Sequence, residues 1–314
     1  MARRKEIAIL DATLRDGGLV NDFHFQDDFV HALYQANLAA GIDCMEFGYR
    51  ADQKLFSPEV YGKWKFAGDD DIRAIVGDSP SQMKVSVMLD VGRCDYRNDV
   101  RPKAESPVDL FRVAAYLDGV GEAIRIIEHL SRLGYETACN IMAVSKYSES
   151  DLAHALNEIA RTPVQTVYIV DSYGALYPHH IRPLADLYSG ILEPAGKAIG
   201  FHSHNNQQCA FANTLEAFRC GVQWLDATAF GMGRGAGNCH SEALLGYFSG
   251  EKYHMEPLLY LIDKWMLPMK RSGSEWGYNT SYLLTGLANR PPHSAMAATR
   301  AQDTDYAAQL LSLR

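Results

Sequence analysis

Short apolar runs alternate with amphipathic helical segments along most of this chain, and no other sequence feature constrains the fold as strongly. Eight runs have the length of a buried strand, at residues 7–10, 42–47, 85–89, 110–114, 137–144, 166–170, 198–201 and 224–228. Between them, segments such as 28–40 and 121–133 show helical spacing of apolar residues and are followed by glycine. The pattern predicts repeated β-α units around a parallel sheet.

Two folds share this periodicity, a closed (β/α)8 barrel and a doubly wound open sheet. Polar residues cluster where the predicted strands end: Asp11, Arg15, Asp16, Glu46, Asp90, Asp171, Ser172, His202 and His204. Barrel enzymes build their sites from those carboxyl-end loops, whereas a dinucleotide-binding sheet carries a glycine fingerprint that Gly17-Gly18 does not supply. We therefore predict an α/β fold, with a (β/α)8 TIM barrel at residues 1–250. A C-terminal helical extension at 251–314 is expected to pack near the barrel mouth.

Composition narrows the class of function. A net charge of -8 and a pI near 5.8 argue against a nucleic-acid partner, because phosphate binding relies on clustered Lys and Arg. The basic residues Arg3, Arg4 and Lys5 precede an apolar stretch too short for a signal peptide or a membrane span. We expect a cytoplasmic protein with no membrane partner.

The segment FHSHNN at residues 201–206 is the strongest local signal of chemistry. Residues i and i+2 of a strand face the same side, so His202 and His204 can reach one metal ion, although an isolated pair would also fit structural histidines. Asp16 belongs to the same predicted rim and would complete a set of two histidines and one carboxylate. Such a set suits Mn²⁺, Mg²⁺, Co²⁺ or Zn²⁺, and spacing alone does not choose among them.

Arg15 stands directly beside Asp16 in the sequence. A fixed cation would therefore accompany the metal at the predicted rim. Two neighbouring positive centres are suited to stabilising the oxygen of an enolate.

The segment LDATLRDG at 10–17, Glu46 and the histidine pair together resemble the DRE-TIM metallolyase superfamily, which is HMG-CoA lyase-like, over roughly the whole barrel. The resemblance implies that Asp16, His202 and His204 bind the metal and that Arg15 stabilises the enolate. It makes Glu46 the acidic residue that orients this cluster. The implied cofactor is a divalent ion, Mn²⁺ or Mg²⁺ by preference, with Co²⁺ or Zn²⁺ as alternatives.

Within the superfamily, the chain resembles most the 4-hydroxy-2-oxovalerate aldolase branch. The segment IVDSYGA at 169–175 implies that Ser172 lies near an oxo-acid substrate. The glycine-rich run at 231–238 resembles a loop whose Asn, here Asn238, approaches the metal.

The segment WGYNTSY at 276–282 resembles the C-terminal helix that lends a tyrosine to the site of those aldolases. The resemblance implies a catalytic role for Tyr282 and a substrate contact for Tyr278. Core packing would explain either tyrosine equally well.

One position departs from the aldolase pattern. Those enzymes place a histidine three residues after the metal-binding Asp16, and this chain has Leu19 there. His24 in the same loop is the candidate replacement for the missing base, with His293 as a weaker one and an exposed loop histidine as the alternative for His24.

These features predict a metal-dependent aldolase that cleaves or forms a carbon–carbon bond of a 4-hydroxy-2-oxo acid through a pyruvate-type enolate. Its partners would be a small-molecule 2-oxo acid and an aldehyde or ketone, with a homo-oligomer and a dehydrogenase partner left open. The enzyme alternatives are a Claisen-type condensing enzyme and an acyl-CoA lyase. Condensing relatives often carry a glutamate where this chain has Gly18. The non-enzyme alternative is a barrel that only binds a metal or metabolite.

Overall fold

The described residues form a closed barrel of parallel strands. The computed structural model describes residues 7–77 and 81–313, so Arg3, Arg4 and Lys5 lie outside the described part. Eight strands occur there: β1 (Ala8–Asp11), β2 (Cys44–Tyr49), β3 (Lys84–Asp90), β4 (Leu110–Ala115), β5 (Glu136–Ile141), β6 (Thr166–Asp171), β7 (Ala198–Ser203) and β8 (Trp224–Ala227). Each strand pairs with its neighbour in sequence, and β1 closes the ring against β8. The predicted (β/α)8 barrel is confirmed.

Helices follow the strands around the outside of the barrel. Those described up to the last barrel strand and its following loop are α1 (Thr13–Gly17), α2 (Asp27–Ala40), α3 (Asp69–Val76), α4 (Tyr96–Asp99), α5 (Val120–Arg132), α6 (Glu149–Ala160), α7 (Pro178–Leu192), α8 (Ala210–Arg219) and α9 (Ser241–Tyr247). Short 3-10 turns lie at Lys63–Lys65, Lys103–Glu105, Leu117–Gly119, Val144–Lys146 and Ala229–Gly231. None of the helices in the described ranges is both long and apolar enough to cross a membrane.

The interior of the barrel contains an apolar cluster, and charged side chains lie nearer the carboxyl ends of the strands. A small buried apolar cluster lies inside the barrel, formed by Leu10, Ala12, Cys44, Leu110, Ala138, Tyr168 and Val170. Every second side chain of a strand faces the same side. Glu46, Arg112 and Asp226 therefore share a face with Cys44, Leu110 and Trp224, and each lies two residues nearer the carboxyl end of its strand. Gly200 is required here, since an added Cβ would lie 2.4 Å from the Tyr168 ring. The apolar cluster is thus a packed floor for the polar mouth.

Element boundaries differ from the predicted ones in two places that affect the mouth. Strand β7 runs to Ser203, so His202 lies inside the strand and only His204 follows it. The segment after β1, predicted only to follow the strand at the barrel rim, is the short helix α1. Its five residues are all buried, which gives Arg15 and Asp16 a rigid support.

Helices also form the part of the chain after residue 250. They are α10 (Glu256–Leu261), α11 (Leu267–Arg271), α12 (Thr280–Leu287), α13 (His293–Arg300) and α14 (Tyr306–Ser312), with a π-type turn, Ile262–Met266, joining α10 to α11. Helix α12 packs on the loops that follow β6 and β7. The Asn206 amide donates to the Tyr282 carbonyl over 3.1 Å, and an added Cβ at Gly286 would lie 2.8 Å from the Cβ of Asn206. The division of the chain into two parts at residue 250 stays a prediction.

Candidate active site

A cavity of about 460 Å³ opens where the barrel strands end. Its wall is mostly polar or charged and combines residues from several β-α loops: Arg15, Asp16, Tyr49, Lys65, Asp90, Asn140, Ser172, His202, His204 and Arg234. Barrel enzymes hold their substrates at this end of the sheet, so the cavity is the candidate active site.

Helix α1 is held in place at the rim by bonds to its own strand and to the last one. The Thr13 hydroxyl donates to the Asp11 carboxylate and accepts a hydrogen bond from the Ala229 backbone N–H at 2.9 Å. Gly18 ends the helix where an added Cβ would overlap the Phe23 ring at 2.2 Å. Arg15 and Asp16 are therefore fixed relative to the carboxyl ends of both β1 and β8.

Asp16, His202 and His204 converge on one point. Each offers one ligand atom, these atoms all lie within 4.8 Å of one another, and the three residues are buried. Among the described residues, the buried Nε2 of His202 has no hydrogen-bond partner. An unpaired imidazole nitrogen facing a carboxylate and a second imidazole fits a divalent cation.

A second carboxylate orients His202. The Nδ1 of this histidine lies 2.9 Å from Oδ2 of Asp226, and Arg112 also donates to that oxygen. Burial alone would raise the pKa of Asp226, but Arg112 and His202 outweigh burial and hold that pKa below its ordinary value. An ionised carboxylate only accepts, so Nδ1 of His202 carries the proton and Nε2 presents its lone pair to the site.

Arg112 connects the histidine side of the site to the arginine side. Its guanidinium is fully buried and donates to Glu46 over 3.0 Å as well as to Asp226. Glu46 also accepts from Nε of Arg15 at 2.8 Å, and Arg15 donates from Nη1 to Asp16 at 3.0 Å. Burial would lower the pKa of Arg15, but Glu46 and Asp16 more than offset it, and the pKa lies above its ordinary value. Arg15 is thus a fixed cation at the cavity wall.

The protonation states of the converging groups suit metal binding. Burial lowers the pKa of His204 to about 3, despite the opposing charge of Asp16, so its imidazole is neutral near pH 7. Burial would raise the pKa of Asp16, but His204, Arg15 and His202 together hold it below its ordinary value. Ionised Asp16 and neutral His204 are the forms in which these side chains bind metals.

The glycine-rich loop brings Asn238 against Asp16. Asn238 pairs with His204 in a β-bridge and donates from Nδ2 to Asp16, while its buried Oδ1 has no partner among the described residues. An added Cβ at Gly233 would lie 2.0 Å from that Nδ2 and 2.6 Å from the Asp16 carboxylate. Only a residue without a side chain permits this approach.

The other residues that the sequence singled out divide into two groups. Ser172 lines the cavity, and its Oγ accepts from the Ala143 backbone N–H at 2.8 Å. Tyr282 and Tyr278 are not among the residues that line the cavity. The Tyr282 ring packs against Gly235 in the glycine-rich loop, and the Tyr278 side chain is exposed.

The two histidines considered as replacement bases also lie outside the cavity lining. His24 is exposed, and its Nε2 lies 2.9 Å from the Val60 carbonyl oxygen. His293 is exposed at the start of α13. Leu19 does line the cavity, at the position where a histidine was expected. The catalytic role proposed for His24 stays a prediction.

Sequence reasoning missed Arg112, Asp226, Lys65 and Arg234. The signal for the first two was available, because each is a single charged residue inside an otherwise apolar predicted strand, where only a paired charge is tolerated. Lys65 and Arg234 lie in loops whose course no local pattern predicts.

Comparison with known proteins gives a family model that matches part of the chain and several relatives. The model of the HMGL-like family matches residues 116–258. The chain is 26% identical over 249 residues to 4-hydroxy-2-oxovalerate aldolase 6 of Rhodococcus jostii, covering 78% of this chain and 68% of that protein. It is 28% identical over 248 residues to the oxaloacetate decarboxylase of Mycobacterium tuberculosis, covering 78% and 70%. A 4-hydroxy-2-oxovalerate aldolase of Bacillus cereus is 29% identical over 262 residues, covering 83% and 75%.

Solved structures share the architecture. The N-terminal domain of a candidate aldolase from Bacteroides vulgatus superposes with a TM-score of 0.77 at 28% identity, covering 93% of this chain and 96% of that one. The hydroxymethylglutaryl-CoA lyase of Pseudomonas aeruginosa gives a TM-score of 0.71 at 17% identity, covering 89% and 97%. The latter likeness concerns the fold alone.

Proposed function

We propose that the chain is a divalent-metal-dependent aldolase acting on 4-hydroxy-2-oxo acids, because the HMGL-like family model matches residues 116–258 and the strands close into an eight-stranded barrel. The chain is an enzyme of the carbon–carbon lyase class, like its aldolase relatives. The proposed reaction cleaves the bond between carbons 3 and 4, which releases an aldehyde or ketone and leaves a pyruvate-type enolate. The reverse reaction is an aldol addition.

One observation carries the proposal: the ligand atoms of Asp16, His202 and His204 lie within 4.8 Å of one another in the cavity wall. These three residues would hold the ion. When bound, the ion would supply a Lewis acid that polarises the 2-oxo group and favours the enolate. The unpaired Nε2 of His202 supports this assignment, because a buried imidazole nitrogen without a partner is costly.

Arg15 would stabilise the enolate oxygen directly. Its Nε and Nη1 are engaged by Glu46 and Asp16, whereas Nη2 makes no hydrogen bond among the described residues. A guanidinium held by two carboxylates cannot turn away, so its remaining N–H groups are aimed before the substrate arrives. In many enzymes, hydrogen-bond donors that are oriented in advance make the largest single contribution to stabilising the transition state.

Ser172 is placed to bind the substrate carboxylate. Its Oγ accepts from the Ala143 N–H, which leaves the hydroxyl proton available to donate into the cavity. Asn238 would complete the site beside Asp16, since its buried Oδ1 is unpaired among the described residues. Both assignments concern binding rather than proton transfer.

A second candidate reaction is the decarboxylation of oxaloacetate, the substrate in the name of the Mycobacterium tuberculosis relative. Loss of CO₂ from oxaloacetate yields the same pyruvate enolate, yet no hydroxyl has to be deprotonated. Leu19 favours this candidate, because the position that holds a histidine in the aldolase pattern carries no base here.

The proposal is tested by measuring pyruvate release from 4-hydroxy-2-oxopentanoate and from oxaloacetate, each before and after metal removal with a chelator. We expect turnover that is lost on chelation and restored by Mn²⁺ or Mg²⁺. His202→Ala and Asp16→Asn should abolish both turnover and metal retention, with the fold kept. His154→Ala, an exposed histidine on α6, is the matched control and should retain both.

Two outcomes would contradict the proposal. Full metal content in a purified His202→Ala, His204→Ala double variant would refute the ligand set. Absence of metal-dependent pyruvate release from either substrate, and from longer 4-hydroxy-2-oxo acids, would refute the reaction.

A further inference from the structure

Lys65 is a largely buried lysine with no acidic partner within 4.0 Å of its ammonium among the described residues. It ends the 3-10 turn Lys63–Lys65, is only 6% exposed, and lines the same cavity as the metal-binding residues. Within the described ranges, its Nζ makes no hydrogen bond and lies within 4.0 Å of no carboxylate. A buried charge is costly unless it is paired, so a partner from outside the chain is indicated.

Four aromatic rings surround this ammonium. The distances from Nζ to the ring centroids are 4.2 Å for Phe56, 4.6 Å for Tyr49, 5.0 Å for Phe23 and 5.7 Å for Tyr61. Ring faces stabilise a cation but do not accept its N–H bonds as an oxygen does. The charge is therefore held in place while its donors stay available to the cavity.

The backbone fixes the position of Lys65. At Gly48 in β2, an added Cβ would lie 1.9 Å from the Trp64 carbonyl oxygen, so the turn rests directly on the strand. The Lys65 N–H donates to Gly62, and the Lys65 carbonyl accepts from Ala51. The ammonium belongs to a rigid wall rather than a mobile loop.

Asp90 is near enough to influence Lys65 but makes no ion pair with it within 4.0 Å among the described residues. Burial raises the pKa of Asp90, and burial lowers the pKa of Lys65 to about 8. The charge of each group opposes the effect of burial on the pKa of the other, but burial outweighs it in both cases. Arg93, 3.8 Å from Asp90, adds a further positive group on this side of the cavity.

We propose that Lys65 binds an anionic group, a carboxylate or a phosphate, on the part of the substrate that becomes the aldehyde. The inference rests on the proposed function, in which Asp16, His202 and His204 hold the pyruvyl end of the same substrate. It selects 4-hydroxy-2-oxo acids with a second acid group over those with an alkyl end. The aromatic rings exclude acidic side chains from the ammonium, and the substrate anion supplies the missing acceptor.

The test compares aldol addition of pyruvate to matched aldehydes: butanal with succinic semialdehyde, and glyceraldehyde with glyceraldehyde 3-phosphate. Wild-type enzyme should prefer the charged member of at least one pair by about tenfold or more in kcat/KM, the range expected for hydrogen bonds to a charged group. The pair that shows the preference tells a carboxylate from a phosphate. Lys65→Met, which keeps an unbranched side chain one atom shorter and removes the charge, should lower that preference at least about tenfold.

Lys63→Met is the matched control, because Lys63 also lies over an aromatic ring but is paired with Asp27 and lies outside the cavity lining. It should retain the preference, and Lys65→Arg should retain part of it. An equal loss on charged and neutral aldehydes in Lys65→Met would overturn the inference. So would a wild-type enzyme with no preference in either pair.

A second measurement does not depend on turnover. Titration calorimetry with inorganic phosphate and with butyrate should show at least one anion whose Kd rises about tenfold or more in Lys65→Met. A change of less than about twofold for both anions would refute the anion site. A different result would be anion binding that depends on Lys65 without aldol addition of pyruvate to any of the aldehydes. It would refute the proposed aldolase activity but support the anion site.

Discussion

His202 shows how single contacts define the chemistry of this site. Its ring is held from behind by Asp226, which is itself held by Arg112 at the centre of the barrel. The ring can therefore present only one nitrogen to the cavity. Arg15 is constrained in the same way by Glu46, so a continuous buried chain of charges fixes both His202 and Arg15.

Asp226→Asn tests this positioning. A neutral amide weakens the bond to Nδ1 of His202 and deprives buried Arg112 of a counter-charge, so the imidazole becomes less basic and less fixed. We expect the metal Kd to rise by about 10–100-fold, the usual effect of removing a carboxylate behind a metal-binding histidine. Competition with a fluorescent chelator measures it.

Asp43→Asn is the control for this variant. Asp43 precedes β2 at the opposite end of the barrel and accepts from the Ile9 N–H and the Tyr253 hydroxyl. Its replacement should leave the metal Kd unchanged. Equal metal affinity in Asp226→Asn and wild type would show that Asp226 does not position His202.

At the scale of elements, a glycine allows a C-terminal helix to pack closely on the loops of the barrel mouth. Helix α12 contacts the loops after β6 and β7 through Gly286, where an added Cβ would lie 2.8 Å from Asn206 Cβ and 3.2 Å from the Gly174 carbonyl oxygen. The C-terminal helices are thereby joined to the mouth of the barrel. Neither neighbour is the flexible end of a long side chain, so neither can yield easily.

Gly286→Ala should consequently destabilise the protein although alanine favours a helix. The helix gain is at most about 1 kcal/mol, whereas overpacking costs about 1–3 kcal/mol, so we expect a net loss of about 1–2 kcal/mol. Gly190→Ala in α7 is the control, since Gly190 is exposed and an added Cβ meets nothing within 4 Å. Urea unfolding should show opposite signs for the two variants, and equal signs would contradict the packing argument.

At the scale of the whole molecule, the barrel buries carboxyl groups that serve structure. Asp11 lies in β1, fully buried, and accepts from Thr13. Burial raises its pKa from 3.8 to about 6, although the hydrogen bonds from Thr13 oppose the rise. The folded protein therefore keeps a proton that the unfolded chain has already released between about pH 4 and 6. Its stability must fall as the pH rises through that window.

Asp11→Asn removes this titration. Relative to wild type, the free energy of unfolding of the variant should increase between pH 4 and 7 by up to about 3 kcal/mol, the equivalent of the pKa shift. Well below pH 3.8 the Asp11 carboxyl is protonated in the folded and in the unfolded protein, so any remaining difference is independent of pH. Urea unfolding at pH 4 and at pH 7 measures the change, and parallel pH profiles would contradict the assignment to Asp11.

Most of the architecture follows from local patterns, and most of the inner site does not. The period of apolar residues predicts all eight barrel strands to within a few residues, and the spacing of His202 and His204 correctly predicts that both histidines contribute to one site at the end of β7. The resemblance to the DRE-TIM superfamily and its aldolase branch is confirmed by the HMGL-like family match and the aldolase relatives. The Arg112 to Asp226 bond spans 114 positions in the chain, and no local rule predicts such a pairing. The four aromatic rings around the Lys65 ammonium are likewise brought together by loop geometry that no local rule predicts.

The closure of β1 against β8 has a consequence for when the proposed metal site can form. Thr13 is bonded to Ala229, and Asp16 to Asn238, across 216 and 222 positions of the chain. A polypeptide still emerging from the ribosome exposes Asp16 long before the partners of this residue exist. A metal held by Asp16, His202 and His204 would therefore be captured only after translation has delivered the distant part of the barrel, and an incomplete or misassembled copy would stay empty and inert.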